Sequence, residues 1–158
     1  MTALRFYAQL LSLLLFACSP AAKEDESATD QLSPEQQKVK NLEEEVLHMH
    51  DDVMPLVADL VALKGRLEKR NQELESAGAS GAQDQVIIHQ MIISNLEAAH
   101  ESMMDWMRKY EVVDVNADVE SNLVYLEQEK SKINEVTKQI YSAIAAAEEA
   151  LEASSESE

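Results

Sequence analysis

The chain has 158 residues, enough for one domain, and carries 30 acidic against 13 basic side chains for a net charge of −17. A surface this acidic repels phosphate backbones and anionic headgroups, so nucleic-acid partners are excluded and membrane attachment needs a covalent or inserted anchor. Aromatics make up 4% of the chain, and Gly and Pro number three each, a composition that suits long helices rather than sheets.

In chain order, Arg5 and the amino terminus give a positive start, and Phe6 to Ala17 is an apolar run broken only by Gln9 and Ser12. At about 1.5 Å per residue the run is too short to span a ~30 Å hydrocarbon core comfortably, so it predicts a secretory signal peptide over residues 1–17. Leu15-Phe16-Ala17-Cys18 closes that run and resembles a bacterial lipobox, with Leu three positions before the only cysteine and a small residue directly before it. The resemblance implies diacylglycerol on the Cys18 thiol and cleavage before it. Ser19 in place of Asp directly after the cysteine points to the outer membrane, facing either the periplasm or the surface. An ordinary signal followed by a chance cysteine is the alternative. Residues 18–32 then read as the lipidated cysteine and a flexible tether, which spans ~45 Å when extended at ~3.3 Å per residue.

Ser33-Pro34-Glu35-Gln36 is a helix start: Ser33 caps, Pro34 takes the first helical position, and Gln36 reaches back. Val39, Leu42, Val46, Met49, Val53, Leu56, Leu60, Leu63, Leu67 and Leu74 follow at alternating three- and four-residue spacing, with Arg70 in one apolar slot. That is one seam down a helix ending near Leu74. Pro55 lies on the opposite side and predicts a kink near Asp51–Met54 in a single continuous helix. Glu75 to Asp84, with two glycines, reads as a turn.

The second helix is expected from about Gln83 to Tyr110, with a seam of Ile92, Leu96, Ala99, Met103, Trp106 and Tyr110, preceded by Ile88 or His89. Glu111 to Ala117 breaks the pattern as a second connection. Asp118 can cap a third helix with the seam Val119, Leu123, Leu126, Ile133, Ile140, Ile144, Ala147 and Leu151, in which Lys130 and Thr137 occupy polar slots. The fold predicted is therefore all-α: an antiparallel, coiled-coil-like three-helix bundle over residues 33–152, followed by an acidic disordered tail over 153–158. A helical hairpin that dimerises is the alternative, so the chain could be an oligomer.

One constellation carries possible chemistry. Apart from Met1, every Met and His falls between His48 and Met107. In an antiparallel hairpin, His50-Asp51-Asp52-Val53-Met54 should lie beside Met103-Met104-Asp105-Trp106-Met107. His50 and Met54 share a helix face, as do His100 and Met104. His50, Met54, His100, Met104 and Met107 thus form a candidate ligand set for Cu(I), a soft ion suited to imidazole and thioether donors. Met is also a flexible gap-filler, and packing around a Pro kink explains the same residues. A third reading makes Met103 and Trp106 an adaptable patch for a protein partner, or a groove that shelters apolar segments. The sequence shows no Gly-rich phosphate loop and no nucleophilic cysteine, which leads to a non-enzymatic expectation.

The motifs His48-x-His50-Asp51-x-Val53-Met54-Pro55, Met103-Met104-Asp105-Trp106-Met107, and Tyr125-Leu126-Glu127-Gln128 followed by Ile133-Asn134-Glu135-Val136 resemble a group of uncharacterised small helical bacterial lipoproteins, some of them labelled "viral A-type inclusion protein". The resemblance covers the mature chain and implies a lipid-anchored three-helix protein. It implies no activity and no role for the motif residues. The function expected is a lipid-anchored interaction or structural module of the cell envelope, held at the membrane and free to meet an envelope protein, with a periplasmic Cu(I)-binding protein as the alternative.

Overall fold

The computed structural model describes residues 32–78 and 81–155. The signal peptide, Cys18, most of the tether and the last residues of the acidic tail lie outside the described residues. Three helices make up the fold: α1 (Pro34–Ala77), α2 (Ala82–Lys109) and α3 (Val119–Ser155). Each packs against the other two, giving the up-down-up three-helix bundle. Among the described residues, no helix is long and apolar enough to cross a membrane.

The helix ends follow local chemistry. The Gln36 amide donates to Ser33 Oγ at 3.2 Å, and the Ser33 amide donates to Gln36 Oε1 at 2.8 Å, a reciprocal capping box. α1 continues unbroken through Pro55, which lies on an exposed face, and ends three residues past Leu74. It stops at Gly78, whose φ of 58° is left-handed and suits a residue without Cβ. α3 opens on Asp118, whose Oδ1 accepts from the amides of Glu120 and Ser121 at 3.1 and 3.4 Å, while Oδ2 accepts from Ser121 Oγ at 2.8 Å. The Ser121 bonds, above all from its hydroxyl, hold the Asp118 carboxyl below its ordinary pKa. α3 runs to Ser155, beyond the residue 152 boundary expected for the bundle.

The core runs the length of the bundle through Val46, Val53, Leu60, Leu67, Leu96, Met103, Ile133, Ile140 and Ala147. Each helix faces two neighbours, so each buries a band wider than one seam, and this shifts five expected slots: Val57 is buried rather than Leu56 and Ala143 rather than Ile144, and three polar slots move as well. Asn71 is buried and Arg70 only partly so; Glu129 is buried in place of Lys130; Val136 is buried in place of Thr137. Lys130 instead reaches Glu45 of α1 at 2.7 Å. The Thr137 hydroxyl donates back to the Ile133 carbonyl.

α2 is the shortest helix, with 28 residues against 44 in α1 and 37 in α3, and the shortfall is met differently at the two ends. Beyond the last turn of α2, the connection 110–118 takes its place: Val113 and Val115 pack with Val119, Leu123 and Tyr125 over Val39, Leu42 and Leu126. At the other end α3 runs out first. The Lys130–Glu45 bridge sets the register that brings Ser155 level with Arg70, so the α1–α2 hairpin projects past it. Ile87, Ile88 and Met91 near that tip remain 47%, 54% and 66% exposed.

Candidate functional site

The Met- and His-rich segments of α1 and α2 meet as the hairpin register requires. The His50 ring stacks on Trp106 with centroids 5.4 Å apart and planes at 28°. Trp106 in turn tilts against Tyr110 at 4.9 Å, and Tyr110 against Tyr125 of α3 at 6.2 Å. Four rings thus form a column from α1 through α2 to α3. Offset and tilted pairs at these distances are favourable.

At one end of the column His50 Nδ1 lies 2.9 Å from Asp51 Oδ1. A carboxylate accepts, so Nδ1 is the donor in this contact. His50 Nε2 is buried with no hydrogen-bond partner, and so is Trp106 Nε1. At the other end the Glu43 carboxylate accepts from the Val113 amide at 2.9 Å and from the Tyr110 hydroxyl at 3.5 Å. Tyr125 Oη accepts from the Glu111 amide at 2.7 Å. Burial, followed by the nearby Glu43 charge, raises the Tyr110 phenol well above its ordinary pKa, and burial raises Tyr125 as well.

Met103 is fully buried, and Met49, Met54, Met104 and Met107 are partly buried against the same core. Met54 lies one helical turn from His50 on the same face, and Met103, Trp106 and Met107 share a face of α2. His100 does not join them. It lines a shallow groove of about 370 Å³ with Leu60, Val61, Lys64, Leu96 and Glu97, and Leu60 lies about 15 Å along α1 from His50 at 1.5 Å per residue. His50 and His100 share a face but not a height. His48 is exposed and pairs with Asp52 at 3.6 Å. Among the described residues, no three His, Cys, Asp or Glu side chains are grouped to hold an ion; the groups in contact with His50 are the Trp106 indole and the Asp51 carboxylate. Met103 and Trp106 are 0% and 6% exposed. They are core residues, so the patch expected of them does not face solvent.

Among the described residues three polar side chains are buried, Asn71, His89 and Glu129; His89 is one of the two seam residues expected at the start of α2, and the other two stand outside the sequence expectations. His89 is 3% exposed, and its Nδ1 lies 2.7 Å from Asn71 Oδ1. Burial, and secondarily the positive charge of Arg70, lower its pKa. Glu129 is likewise 3% exposed and meets Lys132 Nζ at 2.6 Å. Periodicity alone marked both slots, since Asn71 follows Leu67 by four and Glu129 follows Leu126 by three. The alternation of three and four offers Arg70 and Lys130 equally, and burial decides for Asn71 and Glu129.

Between α2 and α3 a groove of about 600 Å³ is lined mainly by small residues, among them Ala98, Ser102, Ser142 and Ala146. Comparison with family models, curated proteins and solved structures gave no significant match.

Proposed function

We propose that the chain is a non-enzymatic lipoprotein of the bacterial cell envelope, in which a helical bundle is held at the outer membrane through Cys18 and serves as an interaction or structural module. The observation that carries this reading is the placement of Leu15-Phe16-Ala17-Cys18 directly after the apolar run, with the chain's one cysteine at the position a lipid would take. The architecture supports it. Forty-four residues of α1 make a rod about 66 Å long at 1.5 Å per residue, a shape suited to reaching from a surface. The bundle starts at Ser33, so a tether of polar and small residues separates it from Cys18. Two acyl signals give stable anchoring where one is marginal, which fits lipidation of both the thiol and the new amine.

The test is incorporation of labelled palmitate, followed by membrane fractionation of the native chain and a Cys18→Ala variant. Labelling and membrane retention that both depend on Cys18 support the reading. A Cys18→Ala chain that still sediments with membranes overturns it.

A further inference from the structure

Among the described residues, nothing pairs with His50 Nε2. Its ring is fixed on both sides, by Asp51 at Nδ1 and by stacking on Trp106, yet Nε2 ends in a buried position with no donor facing it. A histidine whose Nδ1 proton is taken by a carboxylate and whose Nε2 is left open has the tautomer and orientation of a metal ligand. Helix spacing places two thioethers near it. Met54 lies on the same α1 face one turn away, and Met107 adjoins Trp106 on α2. Both are partly buried at the edge of the core, whereas Met103 is wholly inside it.

We propose that His50 Nε2 and the thioethers of Met54 and Met107 form a mononuclear Cu(I) site, closed on one side by the Trp106 indole. All three donors are neutral and two are soft, a set that selects a soft monovalent ion and serves a hard divalent one poorly. The copper enters and leaves as Cu(I) without electron transfer. The indole face offers the bound cation a further electrostatic contact. Asp51 touches no metal; it is a positioning residue that holds the tautomer. His100 and Met104, which share a helix face with each other, have no part in the site.

Trp106 is the chain's one tryptophan, so its emission reports on this site alone. The experiment titrates Cu(I), kept reduced under nitrogen, into the full chain carrying Cys18→Ser, so that the thiol cannot compete. Trp106 emission and displacement from a chromophoric Cu(I) chelator are read together. The expected result is quenching complete at one equivalent, abolished in His50→Gln and unchanged in His100→Ala. Asp51→Asn should weaken binding about 10- to 100-fold, the usual effect of removing a ligand's supporting partner, with an unchanged thermal midpoint because Asp51 is exposed. The Met54→Leu/Met107→Leu double variant conserves packing volume and should lose binding while staying folded, which covers the case in which His50→Gln fails to fold. Absence of quenching at one equivalent, quenching that survives both His50→Gln and the double variant, or loss in His100→Ala would each overturn the proposal. None of these outcomes depends on whether Cys18 carries lipid.

Discussion

The two ends of the bundle solve the same problem with different materials. Where α2 falls short, the connection 110–118 is built into a third wall: Val113 and Val115 supply apolar cover, and Glu43, Tyr125 and Asn122 bind its backbone. Where α3 ends, no other segment among the described residues takes its place. The hairpin projects as two helices, and the buried position next to its tip is filled by a polar pair, Asn71 with His89. At the walled end Val39 and Leu126 are fully buried, and near the tip Val86 is buried while Ile87, Ile88 and Met91 face solvent. Local stability should therefore be graded along the rod, highest at the walled end and lowest at the tip.

Truncating a core residue is the bluntest way to break this contrast. Leu126→Ala and Leu67→Ala each delete a fully buried side chain, and each should cost about 2–5 kcal/mol in chemical denaturation. Leu126→Ala should in addition loosen residues 111–118 in hydrogen exchange, whereas Leu67→Ala should leave that connection protected. A smaller effect, about 1–3 kcal/mol, is expected for Glu43→Ala, which strips the acceptor from the Val113 amide and the Tyr110 hydroxyl. Glu43→Gln keeps an acceptor and should recover most of that loss.

The polar pair makes the tip end the acid-sensitive one. His89 has a folded-state pKa below its unfolded value near 6.5, so the unfolded chain binds the extra proton. Its contribution to stability is complete above about pH 6.5 and is lost as pH falls below that, down to the folded-state pKa. The drop in thermal midpoint between pH 7.5 and pH 5 should be smaller in an Asn71→Leu/His89→Leu double variant than in the native chain. An equal drop in both would place the acid sensitivity elsewhere. The smallest effect expected is that of Gly78→Ala. Its φ of 58° is left-handed and nothing lies within 4 Å of an added Cβ, so the cost is conformational alone, about 1 kcal/mol.

How much of this was legible depends on how local the cause is. The starts of α1 and α3 were readable because caps are local: Ser33, Gln36 and Asp118 act within four residues of themselves, whereas α1 runs three residues past the expected end and stops at Gly78. The heptad rows of α1 and α3 gave Val39, Val46, Val53, Leu60, Leu126, Ile133 and Ile140 correctly, since apolar periodicity is also a local property. The second row of α3 went astray by one residue, at Glu129 and Val136 against Lys130 and Thr137. Which flank of the central row is covered depends on where two other helices stand, and no spacing within α3 encodes that. The candidate ligand set shows the same limit: helix-face arithmetic joined His50 to His100, but the pairing of Lys64 with Glu97 and of Asn71 with His89 sets His100 beside Leu60. Met103 and Trp106 were readable as seam residues, and that reading, rather than the partner patch, matches their burial.

An odd number of helices has a mechanical consequence. α1 and α3 run parallel, so the chain enters the bundle at the walled end and leaves it toward the tip. A pull applied between residues 33 and 155 therefore loads the α1–α3 interface in shear, where the interlocked rows of Val46, Leu60, Ile133 and Ile140 must slip together. A two- or four-helix arrangement would bring both termini to one end and peel open contact by contact. Forced unfolding is governed by the height of the barrier rather than by equilibrium stability. This bundle should thus resist tension along its axis more than its thermal midpoint would indicate, and single-molecule pulling from its two ends, compared with pulling from residues 33 and 118, would measure the difference.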